Sequence, residues 1–123
     1  MMKMLVFFAF MALSVLLQNN AKSDEQCNPE GTQTQMNACA IRDFNFIDKD
    51  LNRVYKKLMA SLSSENQGIL REEQRAWLKQ RDPKCKKEAN DEAEGGTMWP
   101  LLFYGCLEKV TKVRVQQLHQ WKN

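Results

Sequence analysis

The stretch that determines the fold is QRAWLKQRDPKC, residues 74 to 85. Leu70, Gln74, Trp77 and Arg81 recur at steps of four, three and four, so they share one face of a helix. A purely apolar stripe would carry leucine or isoleucine at the two polar positions, so these side chains need hydrogen-bond partners or access to water. The stretch therefore predicts an amphipathic helix with a half-polar inner face.

A proline marks the predicted end of this helix. Pro83 has no backbone donor, and it disfavours helical geometry at Asp82. We therefore predict that the helix ends at Asp82-Pro83 and that a charged loop follows over residues 84 to 96. Within that segment, the candidate partner-binding residues are Glu88, Asp91, Glu92, Glu94, Gly95 and Gly96.

The first residues have the three-part layout of a secretory signal peptide. Lys3 precedes an uncharged apolar run over residues 4 to 17, which is shorter than the roughly 20 residues needed to span a bilayer. Ala21 and Ser23 are small residues of the kind that a signal peptidase reads. We predict a signal peptide over 1–23 and one exported domain over 24–123. Because no lipobox precedes Cys27, a lipid anchor is not expected.

The charge balance argues against nucleic-acid binding. The chain has 18 basic and 15 acidic side chains, and residues 1–23 contain Lys3 and Lys22 but no acid. The exported part therefore carries 16 basic and 15 acidic side chains, a net charge of +1. A nucleic-acid binder normally has a basic excess on one face. We therefore expect no nucleic-acid partner and no membrane span.

All four cysteines lie in the predicted exported part. Cys27, Cys39, Cys85 and Cys106 are separated by 12, 46 and 21 residues, and an even count in an oxidising compartment favours two disulfides. Zinc is a weaker alternative, because there is no C-x-x-C pair and the single histidine, His119, is far along the chain from three of the cysteines. No metal or cofactor is therefore expected.

Two long helices precede the candidate surface. The pair Thr32 and Gln35 has the spacing of a capping box, and an apolar stripe with a helical period then runs from Met36 to Leu62. A second capping box is predicted at Ser64 and Gln67 after a short break. Such a break makes the two helices antiparallel neighbours, and the resulting register brings Arg81 within a turn of Asp43 and Asp48. An ion pair between Arg81 and one of these carboxylates would satisfy the polar stripe.

A third helix is predicted after the two glycines. Thr97 is its expected cap, and Pro100 fits its first turn, where the backbone amide has no intrahelical partner. Its apolar face is predicted to include Phe103, Cys106 and Val113. No strand is predicted, so the expected fold is an all-α, disulfide-stapled three-helix bundle with a long antiparallel helix hairpin.

An ordered set of short motifs extends over nearly the whole predicted exported chain. It consists of Cys27, Thr34, Met36, Asn37, Cys39, Ala40, Asp48, Leu51, Asn52, Tyr55, Gln74, Arg75, Ala76, Trp77, Arg81, Asp82, Cys85, Gly95, Gly96, Thr97, Cys106, Thr111, Arg114 and Leu118. This set resembles the LprI-type lysozyme inhibitor family of small exported bacterial proteins. The resemblance implies a helical envelope domain, and some relatives inhibit lysozyme. Some relatives are lipoproteins, from which this chain departs because it lacks a lipobox.

Four cysteines can pair in three ways. We expect Cys27 to bond Cys39 and Cys85 to bond Cys106, partly because shorter relatives in the resembled family keep the cysteines in these two groups. The rival pairing, Cys39 with Cys85 and Cys27 with Cys106, stays open at this point. The antiparallel register places Cys85 opposite about residue 42, one turn from Cys39.

An enzyme is disfavoured because no nucleophile and base are paired in the sequence. Asp48 and Asp50 point to different sides of a helix, so they do not form a catalytic carboxylate pair. Trp77, Arg81 and Asp82 could form a recognition site, but packing between the helices explains the same residues. The acidic segment is the better candidate surface, because lysozymes are commonly cationic.

The sequence thus predicts a non-enzymatic, exported protein, periplasmic or extracellular, that binds lysozyme and occludes its glycan-cleaving cleft. The alternative is an envelope interaction, immunity or stress module whose partner is not lysozyme. A lysozyme turbidity assay separates these two hypotheses.

Overall fold

A computed structural model describes residues 26–123, and all regular structure in this range is helical. The three helices are α1 (Gln33–Ser61), α2 (Ser64–Ala93) and α3 (Trp99–His119). α3 packs against both other helices and makes its more extensive interface with α1. The predicted all-α bundle, with its helix hairpin and two disulfides, is confirmed. The predicted signal peptide lies outside the described residues.

The ends of the α1–α2 hairpin are capped by side chains. Thr32 accepts a hydrogen bond from the Gln35 amide, and Gln35 Oε1 accepts one from the Thr32 amide at 2.9 Å, so the predicted capping box is confirmed. At the start of α2, Ser63 rather than Ser64 is the cap, and it accepts from the Asn66 amide at 3.3 Å. The prediction was wrong by one residue, because the extended backbone that a cap requires occurs at Ser63.

The prediction that α2 ends at Asp82-Pro83 is wrong, because the helix continues through Pro83 to Ala93. Pro83 is exposed, so water can reach the backbone carbonyl that its missing amide leaves unpaired. Continuing the helix places Cys85 and Ala89, which are 0% and 1% exposed, against the rest of the bundle. Their burial and the disulfide, which contributes about 2 to 4 kcal/mol, offset the cost of about 3 kcal/mol for an interior proline.

The predicted loop over 84 to 96 is therefore mostly helical, and only residues 94 to 98 turn between α2 and α3. Gly95 has φ +73°, a value that residues with a side chain rarely adopt. The turn itself therefore explains why a glycine occupies this position. The predicted cap at Thr97 is wrong by one residue, because the cap position is Met98, which makes no side-chain hydrogen bond. The Thr97 carbonyl instead accepts from Asn37 Nδ2 of α1 at 2.9 Å. Pro100 lies in the first turn of α3, as predicted.

The core is formed where the inner faces of the three helices meet. Its buried members are Phe44, Ile47, Leu51, Val54, Leu70, Cys85, Leu107, Val115 and Leu118. The prediction for α3 was wrong at Val113, which is 49% exposed, whereas Thr111 and Arg114 are buried. Arg114 and Val115 lie three and four residues after Thr111, and Leu118 lies four after Arg114, so these residues define a face that excludes position 113.

Each disulfide joins cysteines that are close in sequence. Cys27 is bonded to Cys39 with a Cα–Cα distance of 4.7 Å, and Cys85 is bonded to Cys106 with a Cα–Cα distance of 5.5 Å. The first bridge holds the segment before α1 against its opening turns, and the second joins α2 to α3. Of the helices described over residues 26–123, none has the length and apolar content to cross a membrane.

Candidate functional site

The four acidic residues singled out in the sequence lie at the end of α2 that is distant from the hairpin turn. Glu88, Asp91 and Glu92 are exposed on its last turns, and Glu94 is the exposed C-cap residue. We call these four residues the acidic patch. Lys87 Nζ donates to Asp91 Oδ2 at 2.5 Å, and this hydrogen bond and the Asp91 charge raise the pKa of Lys87. Within residues 26–123 the other three carboxylates of the patch form no ion pair.

The position of the acidic patch at the carboxyl end of α2 is unfavourable for helix stability. The carboxyl end of a helix carries partial negative charge, so an acidic side chain there costs about 0.3 to 1 kcal/mol, and a basic one would be favourable. The last turn of α2 contains Asp91 and Glu92 and no basic residue. Interaction with the helix dipole therefore does not account for the acidic patch, and among the described residues only its Asp91 has an ion-pair partner, Lys87.

The backbone beneath the acidic patch is held by α3. Cys85 is bonded to Cys106, and Ala89 is buried one turn further along α2. Trp99 Nε1 at the start of α3 donates to Asn90 Oδ1 at 2.7 Å. These contacts lie between and beside the acidic residues, so the patch is carried on a fixed helix rather than on the loop that the sequence predicted.

A second group of motif residues meets in the interior, around Arg81. Arg81 Nη1 donates to Asp48 Oδ1 of α1 at 2.9 Å, and its Nε donates to Asp82 Oδ1 at 2.8 Å. The guanidinium carbon lies 5.3 Å from the ring centroids of both Phe44 and Trp77. The Arg81 side chain is only 10% exposed. Of the two carboxylates expected near Arg81, Asp48 is therefore the partner.

A second arginine, Arg114 of α3, also contacts the Trp77 ring. Its Nε donates to the buried Gln74 Oε1 at 2.8 Å and its Nη1 to Gln117 Oε1 at 3.3 Å, and its guanidinium carbon lies 5.9 Å from the Trp77 ring centroid. Neither Arg114 Nη2 nor the buried Thr111 Oγ1 has a hydrogen-bond partner. We call Asp48, Gln74, Trp77, Arg81 and Arg114, together with Thr111, the motif cluster.

Burial makes the charged form of the Arg114 side chain less favourable. Desolvation lowers the pKa of its guanidinium, while the charge of Glu73 opposes the shift. Arg114 pairs with amide oxygens rather than carboxylates, so its charge is stabilised by dipoles and by the face of Trp77. A buried cation of this kind restricts how α3 can sit against α2, because any displacement would leave the charge without these contacts.

The sequence left open whether Trp77, Arg81 and Asp82 have a structural or a recognition role, and the motif cluster helps to decide this. Trp77 is half-buried and packs against the core, and Arg81 is held by two carboxylates, so we interpret both as structural. Asp82 remains exposed. Asp50 pairs with Arg53 while Asp48 pairs with Arg81, so the two carboxylates do point to different sides.

No group of three histidine, cysteine or acidic side chains in the described part of the chain is arranged to hold a metal ion. His119 is exposed at the carboxyl end of α3.

A family model described as "Lysozyme inhibitor LprI" matches residues 23–118. The chain belongs to this family. It is also 32% identical over 127 aligned residues to an uncharacterized protein of Rhizobium meliloti (strain 1021), with 89% of this chain and 91% of the relative covered. No solved structure matches the chain.

In this LprI-family protein the motif residues separate into two structural groups. Six of them form the motif cluster, in which all three helices are represented. Others stabilise the turn between α2 and α3, as Gly95 does, or form the disulfides, as Cys85 does. Leu51 is buried and Tyr55 packs against the core, whereas Asn52 is exposed. Most of the residues that identify an LprI-type chain in this sequence therefore maintain its fold.

One exposed feature of this LprI-family protein was not singled out from the sequence. Phe46 on α1 is 76% exposed and borders a shallow groove of about 400 Å³ that is also lined by Ile41, Asn45 and Lys49. The available signal was that Phe46 lies between the stripe positions Phe44 and Ile47, out of phase with the core face.

Proposed function

We propose that this LprI-family protein is exported and inhibits a lysozyme by binding over its glycan-cleaving cleft, without catalysing a reaction itself. The observation that carries the proposal is the family match over residues 23–118. Export is supported by the predicted signal peptide over 1–23 and by two disulfides, which persist in oxidising compartments. The protein would then act in the periplasm or outside the cell, as one domain over 24–123.

The acidic patch supports a cationic partner. Glu88, Glu92 and Glu94 are exposed and have no ion-pair partner among the described residues, and their helix end gains nothing from them in stability. Opposite charge on a partner raises the association rate and selects against partners of like charge. A cationic lysozyme has the required sign.

The patch also has the rigidity that a competitive inhibitor requires. Its helix is bonded to α3 through Cys85 and Cys106, and Asn90 is held by Trp99. A surface that is already ordered loses less conformational entropy on binding than a free loop. This is why we place the first contact on the acidic patch.

The test is lysis of bacterial cell walls by a purified c-type lysozyme, followed by turbidity, with the 24–123 protein in micromolar excess. We expect the unchanged protein to slow lysis. Replacing Glu88, Asp91, Glu92 and Glu94 with glutamine or asparagine should slow association roughly tenfold at low salt and flatten its salt dependence. Thermal unfolding should be little changed, because the side chains are exposed.

A matched control removes the same charge elsewhere. Glu30, Glu65, Glu72 and Glu108 lie outside the patch with exposed or partly exposed side chains, and neutralising them gives the same net charge. Equal loss of binding in both quadruple variants would show that net charge, not the patch, attracts the partner. Unimpaired lysis in the presence of the unchanged protein would instead favour an envelope interaction or immunity module with another partner.

A further inference from the structure

A basic stripe with one exposed aromatic ring follows the outer face of α1. Arg42, Phe46, Lys49, Arg53 and Lys56 are all exposed and are separated by steps of four, three, four and three. These steps keep the five side chains on one face, opposite the stripe that enters the core. We call this surface the Phe46 face.

The free charge of the Phe46 face is positive. Arg42 pairs with Asp43, and Arg53 pairs with Asp50 at 2.5 Å, so these two arginines are neutralised locally. Within residues 26–123, three lysines on or beside this face have no ion-pair partner: Lys49, Lys56 and Lys57. The surface therefore suits a local group of carboxylates, such as the pair in a glycosidase cleft, on a partner whose net charge need not be negative.

Phe46 contributes nothing to the bundle from its present position. Its side chain is 76% exposed and is not among the residues packed on the core. A lone exposed apolar residue is ordinary. Phe46, however, borders a groove of about 400 Å³ whose walls include the half-buried Ile41 and the exposed Asn45. An aromatic ring at the edge of a groove, with amide and ammonium groups around it, has the composition of an interface hot spot.

The Phe46 face and the acidic patch lie towards the same end of the molecule. The ion pair between Asp48 and Arg81 places residue 81 of α2 level with residue 48 of α1. Glu88 is seven residues beyond Arg81, about 10 Å along the helix axis, and α1 runs the opposite way past Phe46. Along the helix axes, the distance between the two regions is therefore within the width of one partner surface of ordinary size, about 800 Å² a side.

We propose that the Phe46 face is the part of this protein that enters the lysozyme cleft, with Phe46 in a sugar-binding position and Lys49 facing the catalytic carboxylates. The inference rests on the proposed function and adds the contact that blocks catalysis. Retaining glycosidases place two carboxyl groups about 5 Å apart, one of which must stay protonated to act as the acid. A lysine ammonium beside it favours the ionised form and so removes the acid as well as excluding the glycan.

The test compares single variants of the 24–123 protein in binding and in inhibition of a purified c-type lysozyme. Phe46→Ser and Lys49→Glu should each raise the dissociation constant roughly 10- to 100-fold. The matched controls are Leu78→Ser, which removes another half-exposed apolar side chain, and Lys109→Glu, which makes the same charge change on α3. Both controls should bind as the unchanged protein does.

A cleft-filling chitin trisaccharide should compete with the unchanged protein for lysozyme. If the unchanged protein inhibits while Phe46→Ser and Lys49→Glu bind equally well, this inference is wrong and the proposed function stands. Binding without competition by the trisaccharide would also overturn it, because the contact would then lie outside the cleft. If the unchanged protein does not bind lysozyme, the proposed function and this inference both fail.

Discussion

Arg81 of α2 donates from Nη1 to Asp48 Oδ1 of α1 at 2.9 Å, and this ion pair links the two helices of the hairpin. The two residues are 33 positions apart in the chain, and Arg81 is 10% exposed while Asp48 is 35% exposed. α3 packs against both helices of the hairpin, and this ion pair adds a direct contact between α1 and α2.

We expect Asp48→Asn to lower the free energy of unfolding by about 1.5 to 3 kcal/mol, the range for hydrogen bonds to charged groups. The loss leaves Arg81 nearly buried with only Asp82 as an ionic partner. The matched control is Asp50→Asn, which breaks the exposed pair with Arg53 and should change stability by less than about 0.5 kcal/mol. Urea unfolding measures both, and equal losses would contradict the assignment.

Trp77 is expected to be the most costly single truncation in the motif cluster. Trp77→Ala should destabilise the protein by about 3 to 5 kcal/mol, because it removes core packing and the ring that two guanidinium groups contact. Trp77→Phe keeps an aromatic face and should recover part of the loss. Thermal unfolding measures the difference. A shift of one or two degrees for Trp77→Ala would mean that the side chain contributes at the surface instead.

Gln74 and Arg114 should behave as a coupled pair. Gln74→Leu leaves a buried cation with one fewer acceptor, and Arg114→Met leaves a buried amide without its donor, so each should cost about 1 to 3 kcal/mol. The double variant should cost less than the sum, with a coupling of about 0.5 kcal/mol or more in a double-mutant cycle. Strict additivity would show that the hydrogen bond at 2.8 Å contributes nothing.

The pH dependence of the same pair follows from the direction of the shift. Burial lowers the pKa of Arg114, so the unfolded chain holds this proton more strongly than the folded protein does. The cost of burying the charge is therefore fully present at neutral pH and is relieved only as the pH rises through the lowered pKa towards the ordinary arginine value. Unchanged and Arg114→Met proteins should accordingly show the same pH dependence of stability around neutrality, measured by urea unfolding.

The two disulfides should differ in function more than in stability. Loops of 21 and 12 residues predict about 3 kcal/mol each from chain entropy. Only the pair Cys85 and Cys106 holds the helix that carries the acidic patch. The double alanine variant of this pair should slow lysozyme association at low salt. That of Cys27 and Cys39, which holds Gln26 beside the groove at Phe46, should leave the association rate unchanged. Matched thermal unfolding and binding assays decide this, and equal loss of binding would remove the link to the patch.

Export predicts a defined amino terminus. If residues 1–23 are a signal peptide, the exported protein begins at Asp24. Intact-mass analysis of the protein from the culture medium or periplasm checks this. An exported form that retains Met1, or one acylated at Cys27, would contradict the prediction.

Much of the fold follows from local patterns in this sequence. The apolar period from Met36, the capping box at Thr32 and the break near Ser63 depend on residues three or four positions apart, so their consequences are visible without the fold. The short break also predicted the antiparallel register of α1 and α2, which brings Arg81 next to a carboxylate of α1. The sequence identified the negative charge of the acidic patch, but it did not predict that most of these residues lie in a helix.

The errors share a physical cause. The local chemistry of Pro83 favours the end of a helix, but burial of Cys85 and Ala89 against the bundle outweighs that preference. This burial involves residues distant in sequence, so no local pattern predicts it. Val113 lies outside the core because it points away from the face of α3 that Thr111, Arg114 and Leu118 define.

The sequence by itself determined that α1, the first part of α2 and α3 are helical, where the hairpin turns and which residues identify the family, because these depend on neighbours along the chain. Only the tertiary structure decided that Gln74, Trp77 and Arg114 meet in one cluster and that α2 carries the acidic patch as helix. Each of these depends on the packing of α3 between partners distant in sequence, and the free energy of that packing is shared among all three helices.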